Sequence, residues 1–242
     1  MSIVSRRTRK APARPLEFYG EGIPYLKEVD IRGRLIVIEG PDGSGRSTQI
    51  DMIISKLEAD GHGVLNTGLK RSDLIKEGIL QAKQMLPLGK RTLALFYAAD
   101  FADQLEHKII PALEAGEIVL ADRYIFTLIA RSTVRGIRTK WSEDLFGFAL
   151  KADLVFYLDV DPNELFHRVV QKSPSLDYYE SGADMDLSDD LFSTFITYQQ
   201  RMAREFAILA KKYGLVRIDG NRPIPEIHLD LQQRIDRYLA TI

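Results

Sequence analysis

No cysteine occurs in the 242 residues. Disulfide staples, zinc–thiolate sites and thiol nucleophiles are therefore excluded. The two signs of charge are nearly balanced, with 33 Lys and Arg against 34 Asp and Glu, so the bulk charge does not point to nucleic acid as a partner. No apolar run approaches the roughly 18 residues of a membrane span, and no apolar signal-peptide core lies near the start. The expectation is a cytoplasmic protein with no membrane attachment. No Asn-Lys-x-Asp stretch is present to read guanine. The histidines, His62, His107, His167 and His228, are scattered without catalytic or metal-ligand spacing. There is no internal repeat and no low-complexity stretch. Apolar residues are plentiful at 45%, enough for one sizeable domain.

The most informative segment is Arg34 to Gln49. An unbroken apolar run, Leu35-Ile36-Val37-Ile38, leads into Gly40-Pro41-Asp42-Gly43-Ser44-Gly45-Arg46-Ser47. This is the spacing of a phosphate-cradling P-loop, G-x-x-x-x-G-K-[S/T], with Arg46 in place of Lys. Glycines let the loop bend sharply and aim backbone N–H groups at one anion. The N-terminus of the following helix adds partial positive charge. Gly40, Gly43, Ser44, Gly45, Arg46, Ser47 and Thr48 are the residues expected around a bound nucleotide triphosphate, and Ser47 can supply an oxygen to Mg2+. Arg46 keeps the charge of the usual lysine but replaces a compact ammonium with a planar fork.

The rest of the chain alternates. Apolar strands at about 64–65, 118–121, 154–158 and 215–218 are separated by helical patterns. These fall at about 72–85, 92–115, 125–135, 141–151, 162–171 and 223–239, with a long amphipathic helix near 192–213. Pro111 is expected to kink the 92–115 stretch. The pattern predicts an α/β fold of three layers, a parallel sheet flanked by helices, with ligands at the carboxyl ends of the strands. Residues 1–30 read as a basic tail or extension, with Arg6, Arg7, Arg9, Lys10 and Arg14 crowded together. Apolar residues return from Leu16 to Tyr25 and are expected to pack onto the domain. Residues 31–242 form the domain itself, with a lid at about 172–190. A second element, Leu120-Ala121-Asp122-Arg123-Tyr124, ends a buried strand. There Asp122 can hold Mg2+ or its waters, and Arg123 can reach a transferring phosphate.

Here the chain resembles the thymidylate kinase family. EGPDGSGRSTQ is similar to that family's E-G-x-D-G-x-G-K-S-T-Q, and Ile109 to Tyr124 to its I-x-P-A-L-x-x-G-x-x-V-x-x-D-R-Y. Ala152 to Pro162 resembles the strand P-D-L-x-x-x-L-x-V-x-P, and Ile218-Asp219-Gly220 falls where the family turns toward the adenine. The resemblance runs from about Arg34 to Ile242. It implies transfer of the ATP γ-phosphate to a nucleoside monophosphate, most of all dTMP, with Mg2+. It also implies small-molecule nucleotides as partners and a homodimer. Asp42, Arg46, Asp122 and Arg123 become the expected catalytic residues, with Ser47 and Asp122 at the metal. Asp42, Arg71, Tyr97, Phe101, Thr127 and Arg131 become the expected acceptor site.

Several positions depart from the family pattern. Phe101 stands where the family has an acceptor-binding Arg, and Arg131 and Ser132 where it has Tyr and Gln. Tyr97 and Phe101, four apart on one helix face, offer stacking surfaces for a base. Arg131 can replace the missing guanidinium if the two helices face each other. From Ser173 to Gln200 there is no Lys or Arg, only Asp177, Glu180, Asp184, Asp186, Asp189 and Asp190 as charges. An acidic lid of this kind repels a triphosphate and is expected to be loosely held. Two alternatives therefore stand beside the kinase: a nucleotide-binding regulatory member with weakened turnover, and a kinase for another phosphate acceptor.

Overall fold

The structure, a computed structural model, describes residues 12–26, 29–85, 88–172 and 176–241. Arg6, Arg7, Arg9 and Lys10 of the basic tail, and positions 173–175 of the expected lid, lie outside the described residues. A two-residue antiparallel pair comes first, β1 (Arg14–Pro15) with β2 (Asp30–Ile31). Five further strands form one sheet: β3 (Arg34–Glu39), β4 (Val64–Gly68), β5 (Ile118–Asp122), β6 (Leu154–Asp159) and β7 (Val216–Asp219). Their order is β4-β5-β3-β6-β7 and every pairing is parallel. All six residues of β3 are buried, because helices cover both faces of a parallel sheet.

The helices are α1 (Arg46–Ala59), α2 (Lys76–Met85), α3 (Lys90–Gln104), α4 (Ile110–Ala115), α5 (Ile125–Val134), α6 (Thr139–Leu145), α7 (Pro162–Lys172), α8 (Leu191–Tyr213) and α9 (Ile224–Leu239). Alternate strand residues separate two cores. Ile36, Ile38, Leu120, Phe156 and Ile218 meet Ile50, Ile53 and Leu57 of α1 and Ile227 and Leu231 of α9. Leu35, Val37, Val119 and Val155 meet the apolar faces of α3, α5 and α8 on the other side. Each fully buried Leu or Ile contributes about 1.5–3 kcal/mol relative to exposure. The result is the expected three-layer α/β arrangement.

Some boundaries shift for local reasons. The second helix starts at Lys76 rather than 72, because the Ser72 hydroxyl accepts the N–H groups of Leu74 and Ile75 at 3.1 and 3.0 Å and holds a turn there. The 92–115 stretch widens into a π turn at Leu105–Ile109, just before Pro111, a frequent answer to a local interruption. α6 ends at Leu145 because the next residues pair with the N-terminal segment: Tyr19 donates to Ala149 O at 2.9 Å and Gly20 to Gly147 O at 2.8 Å.

That segment belongs to the packed body. Arg14 Nη2 donates to both oxygens of Asp153 at 2.7 and 2.6 Å. Asp153 also accepts the Leu35 N–H and the Tyr238 hydroxyl. The Tyr19 ring meets Phe126 and Tyr213 edge-on, each at 5.5 Å. The registers Ile38↔Asp122 and Gly68↔Asp122 bring the carboxyl ends of β3, β5 and β4 level. The strand ends thus place the glycine loop, Asp122 and the loop after β4 side by side.

Candidate functional site

The glycine loop leaves β3 and delivers α1. Gly43 has φ +81, and a Cβ on it would lie 2.9 Å from Val169 Cγ2. Gly45 is the N-cap of α1 at φ +88, yet a Cβ there would meet no protein atom within 4 Å. It opens onto a cavity of about 510 Å3 lined by residues 41–48 of the loop and helix start, within the range typical of small-molecule sites. The glycine loop therefore borders a nucleotide-sized space, with exposed Ser47 and Thr48 at its edge.

Arg46 opens α1 and turns its guanidinium inward. Nη1 donates to the carbonyls of Gly40 and Pro41. Nε donates to Asp122 Oδ1 at 2.8 Å, and Nη2 lies 3.4 Å from Asp42 Oδ1. Arg123, held at φ +69 in the turn after β5, donates from Nη2 to the same Asp42 oxygen at 2.7 Å. Its Nε donates to Gly40 O at 3.3 Å and its Nη1 to Glu180 Oε1 at 3.4 Å. Burial by itself would raise the Asp42 pKa; the charges of Arg123, then Arg46 and Arg131, hold it far below the usual carboxylate range. Asp42 is therefore ionised throughout the neutral range.

The turn carrying Arg123 is set by Glu39, which has no exposed surface. Its carboxylate accepts the N–H groups of Tyr124 and Thr127 at 2.9 and 3.1 Å, together with the Thr127 hydroxyl. No side chain of α5's own N-cap does this; an acid from the central strand caps the helix instead. Thr127 thus spends its hydroxyl on Glu39, though it still lines a small cavity. Burial raises the Glu39 pKa above its ordinary 4.5, despite these bonds. A pKa raised on folding contributes stability below pH 4.5 that is lost as pH climbs through the folded value. Glu39→Gln cannot ionise, so its stability relative to the parent should improve as pH rises from about 4 to about 8. Urea unfolding across that range measures it, and a pH-independent difference would refute it.

The cavity has cationic walls that the residue pattern did not announce. Arg168 and Lys172, four apart on α7, line it opposite the glycine loop. Arg168 also donates to Gly220 O at 3.2 Å, tying α7 to the Ile218-Asp219-Gly220 turn. The only signal in the sequence is this helical spacing just after Asp161-Pro162.

The acidic stretch is matched by arginines from elsewhere. Glu180 Oε1 lies 3.2 Å from Arg131 Nη2, 3.4 Å from Arg123 Nη1 and 3.9 Å from Lys70 Nζ. Asp184 takes two bonds from Arg135 at 2.7 and 2.8 Å, and Arg135 further donates to Tyr179 O and Tyr198 Oη. These two carboxylates are paired and largely buried, so the repulsion expected from a linear charge count is offset here. A carboxylate beside Arg123 and Arg131 still competes with any incoming phosphate.

The acceptor candidates divide. Thr127 and Arg131 line a cavity of about 20 Å3 together with Asp42 and Arg123. Tyr97 and Arg131 line a second of about 20 Å3, where the buried Tyr97 hydroxyl has no protein partner. Arg131 and Tyr97 therefore do face each other across α3 and α5. Phe101 does not join them: its ring packs edge-on against Tyr124 at 4.9 Å and tilted against Phe148 at 5.6 Å, inside the core. An apolar ring with no polar end gains most from that burial. Arg71 reaches the site from the loop after β4, with Nη2 4.0 Å from Asp122 Oδ2 and Nη1 donating to Asn66 at 2.7 Å.

Among the described residues, no group of three or more His, Asp or Glu could hold a metal alone, and no helix is long and apolar enough to cross a membrane. The family described as Thymidylate kinase matches residues 38–231. The probable thymidylate kinase 2 of Saccharolobus solfataricus is 33% identical over 210 residues, covering 86% of this chain and 98% of that protein. The thymidylate kinase of Shouchella clausii is 32% identical over 220 residues, covering 87% and 98%. The probable thymidylate kinase of Thermococcus gammatolerans is 30% identical over 221 residues, covering 86% and 99%.

Proposed function

Because this chain belongs to the thymidylate kinase family, we propose that it transfers the γ-phosphoryl group of ATP to a nucleoside monophosphate, dTMP before others. The observation that carries this reading is the junction at Glu180. It lines both the 510 Å3 cavity along the glycine loop and the small cavity beside Thr127 and Arg131, as does Asp42, and Arg123 in the small cavity donates to both carboxylates. A donor in the first space and an acceptor in the second would meet end to end. An acceptor phosphate oxygen attacks the γ-phosphorus, its bond to the bridging oxygen breaks, and ADP leaves. Such chemistry requires positioning and charge neutralisation above all. Arg46 from the start of α1 and Arg123 from the end of β5, with Lys172 from α7, supply the cations. Asp42, ionised between two guanidiniums, serves to accept hydrogen bonds from the acceptor and not to donate a proton.

The residues also fit Mg2+. Ser47 and Asp122 offer oxygen donors only, and an ion that takes most of its ligands from phosphates and water needs no larger protein set. When bound there, Mg2+ would supply charge neutralisation to the phosphates.

A space of about 20 Å3 holds a water and not a nucleotide. Acceptor binding therefore requires Glu180 and Arg131 to part. One observation favours a second reading, a nucleotide-binding member with weakened turnover: Glu180 occupies the cations that a phosphate would need. Transfer from ATP to dTMP, dUMP, dCMP, dGMP and dAMP separates the two. We expect dTMP to be accepted, with relaxed discrimination among pyrimidines, since stacking and one guanidinium read a base edge weakly. Arg131→Ala should raise the acceptor KM about tenfold and leave the ATP KM within about threefold. No transfer to any of the five, or a strong purine preference, would remove this function. The same preparation should have the molar mass of a homodimer. Leu74, Leu80 and Leu95 on and near α2 and α3 are exposed, whereas the apolar side chains of α5 are buried within the subunit, so the α2–α3 face is the expected interface.

A further inference from the structure

Asp100 and Gln104 are buried polar residues on α3, a helix whose other inward side chains are mostly apolar. Asp100 Oδ1 accepts the Ser72 N–H at 2.9 Å. Its Oδ2 accepts the Lys70 N–H at 2.8 Å and Gln104 Nε2 at 2.9 Å. Gln104 Oε1 in turn accepts the Thr67 hydroxyl at 2.7 Å, near the end of β4. Asp103 accepts the Ser72 hydroxyl, and Lys108, within the π turn, donates to Arg71 O at 3.0 Å. Positions 100, 103 and 104 share one helix face. The stripe lies along the β4–α2 loop.

That loop is strained. Lys70 has φ +62, a left-handed conformation that a residue with a side chain adopts only at a cost. Such a conformation persists where the surroundings over-determine it, and it points to a role for what it holds. The N–H groups that Asp100 takes are those on either side of Arg71. The loop presents two cations to the phosphate end of the site: Lys70 Nζ lies 3.9 Å from Glu180 Oε1, and Arg71 Nη2 lies 4.0 Å from Asp122 Oδ2.

We infer that Asp100 is a positioning residue for phosphoryl transfer: through two backbone N–H groups of the β4–α2 loop it sets where the Lys70 and Arg71 cations meet the acceptor phosphate. This rests on the kinase reading above. Asp100 acts from behind the loop, and its carboxylate oxygens are taken up by the loop and by Gln104.

The test is Asp100→Asn in the full chain, which keeps the shape but presents an NH2 donor to one of the loop N–H groups. Acceptor kcat/KM should fall about 30-fold, mostly through KM, while the KM for ATP stays within threefold. A merely structural role would lower both substrates' parameters together. In the Lys70→Ala/Arg71→Ala background the same substitution should cost less than threefold, because the cations it places are gone. A full 30-fold cost in that background would overturn the inference. If Asp100→Asn does not fold, Gln104→Met removes one of the carboxylate's three donors and the acceptor of the Thr67 hydroxyl, and leaves the Lys70 and Ser72 N–H bonds. It should raise the acceptor KM at least threefold, and an unchanged value would overturn the inference. Calorimetric binding of dTMP separates the two levels. A parent protein that binds and transfers, with a variant that binds equally well, removes the role of Asp100 alone. A parent that neither binds nor transfers removes the kinase reading beneath it.

Discussion

Replacing Arg46 with alanine is expected to lower kcat/KM at least about 100-fold, whereas lysine should stay within about tenfold of the parent. The guanidinium is the shared partner of Asp122, at 2.8 Å, and of Asp42, at 3.4 Å, and it is buried. Removing it leaves Asp122 without its 2.8 Å partner and Asp42 with Arg123 alone, beside the cavity proposed for the triphosphate, so the lost attraction is compounded by added repulsion. Lysine restores the charge but not the fork, and one ammonium cannot reproduce bonds made separately by Nε, Nη1 and Nη2. Steady-state kinetics with the three proteins decide the matter. Equal losses in the alanine and lysine variants would show that geometry, and not charge, is what Arg46 contributes.

Gly45→Val should weaken binding of Mg2+–ATP more than about 100-fold. Two effects coincide at this position. The φ of +88 strains any β-branched residue, and the new side chain points into the cavity that the donor phosphates would fill. Gly61, at the other end of α1, separates these effects. It has nearly the same backbone, φ +90, and a Cβ there also meets no protein atom within 4 Å, but it lies far from the glycine loop along the helix. Gly61→Val should therefore lose comparable stability, about 1–2 kcal/mol, with the ATP dissociation constant unchanged. If both valine variants bind ATP like the parent, the cavity beside Gly45 is not the donor site. If both lose binding equally, strain alone accounts for the effect.

The amino-acid order by itself determined the sheet-and-helix succession, the glycine loop after Ile38 and the Asp122-Arg123-Tyr124 turn. These rest on short spacings: alternation within a strand, the 3.6-residue period of a helix, and the few glycines a phosphate loop needs. Tertiary structure decided how the charges are partnered. Arg46 and Asp122 are 76 positions apart, and Arg123 and Glu180 are 57 apart. In the linear sequence the stretch from Asp177 to Asp190 is only a row of carboxylates. In the fold Glu180 sits against Arg131 of α5 and Arg123 at the end of β5, and Asp184 against Arg135 just past α5. The same distance hid the Glu39 cap on α5, 85 to 88 residues away, and the Asp100 clamp on the loop after β4. Phe101 shows the converse: its helix face was legible, but whether that face met a ligand or the core depended on Tyr124 and Phe148. Local periodicity says which side of an element is apolar. Which groups lie within bonding distance of each other is settled only when the sheet order brings the strand ends together.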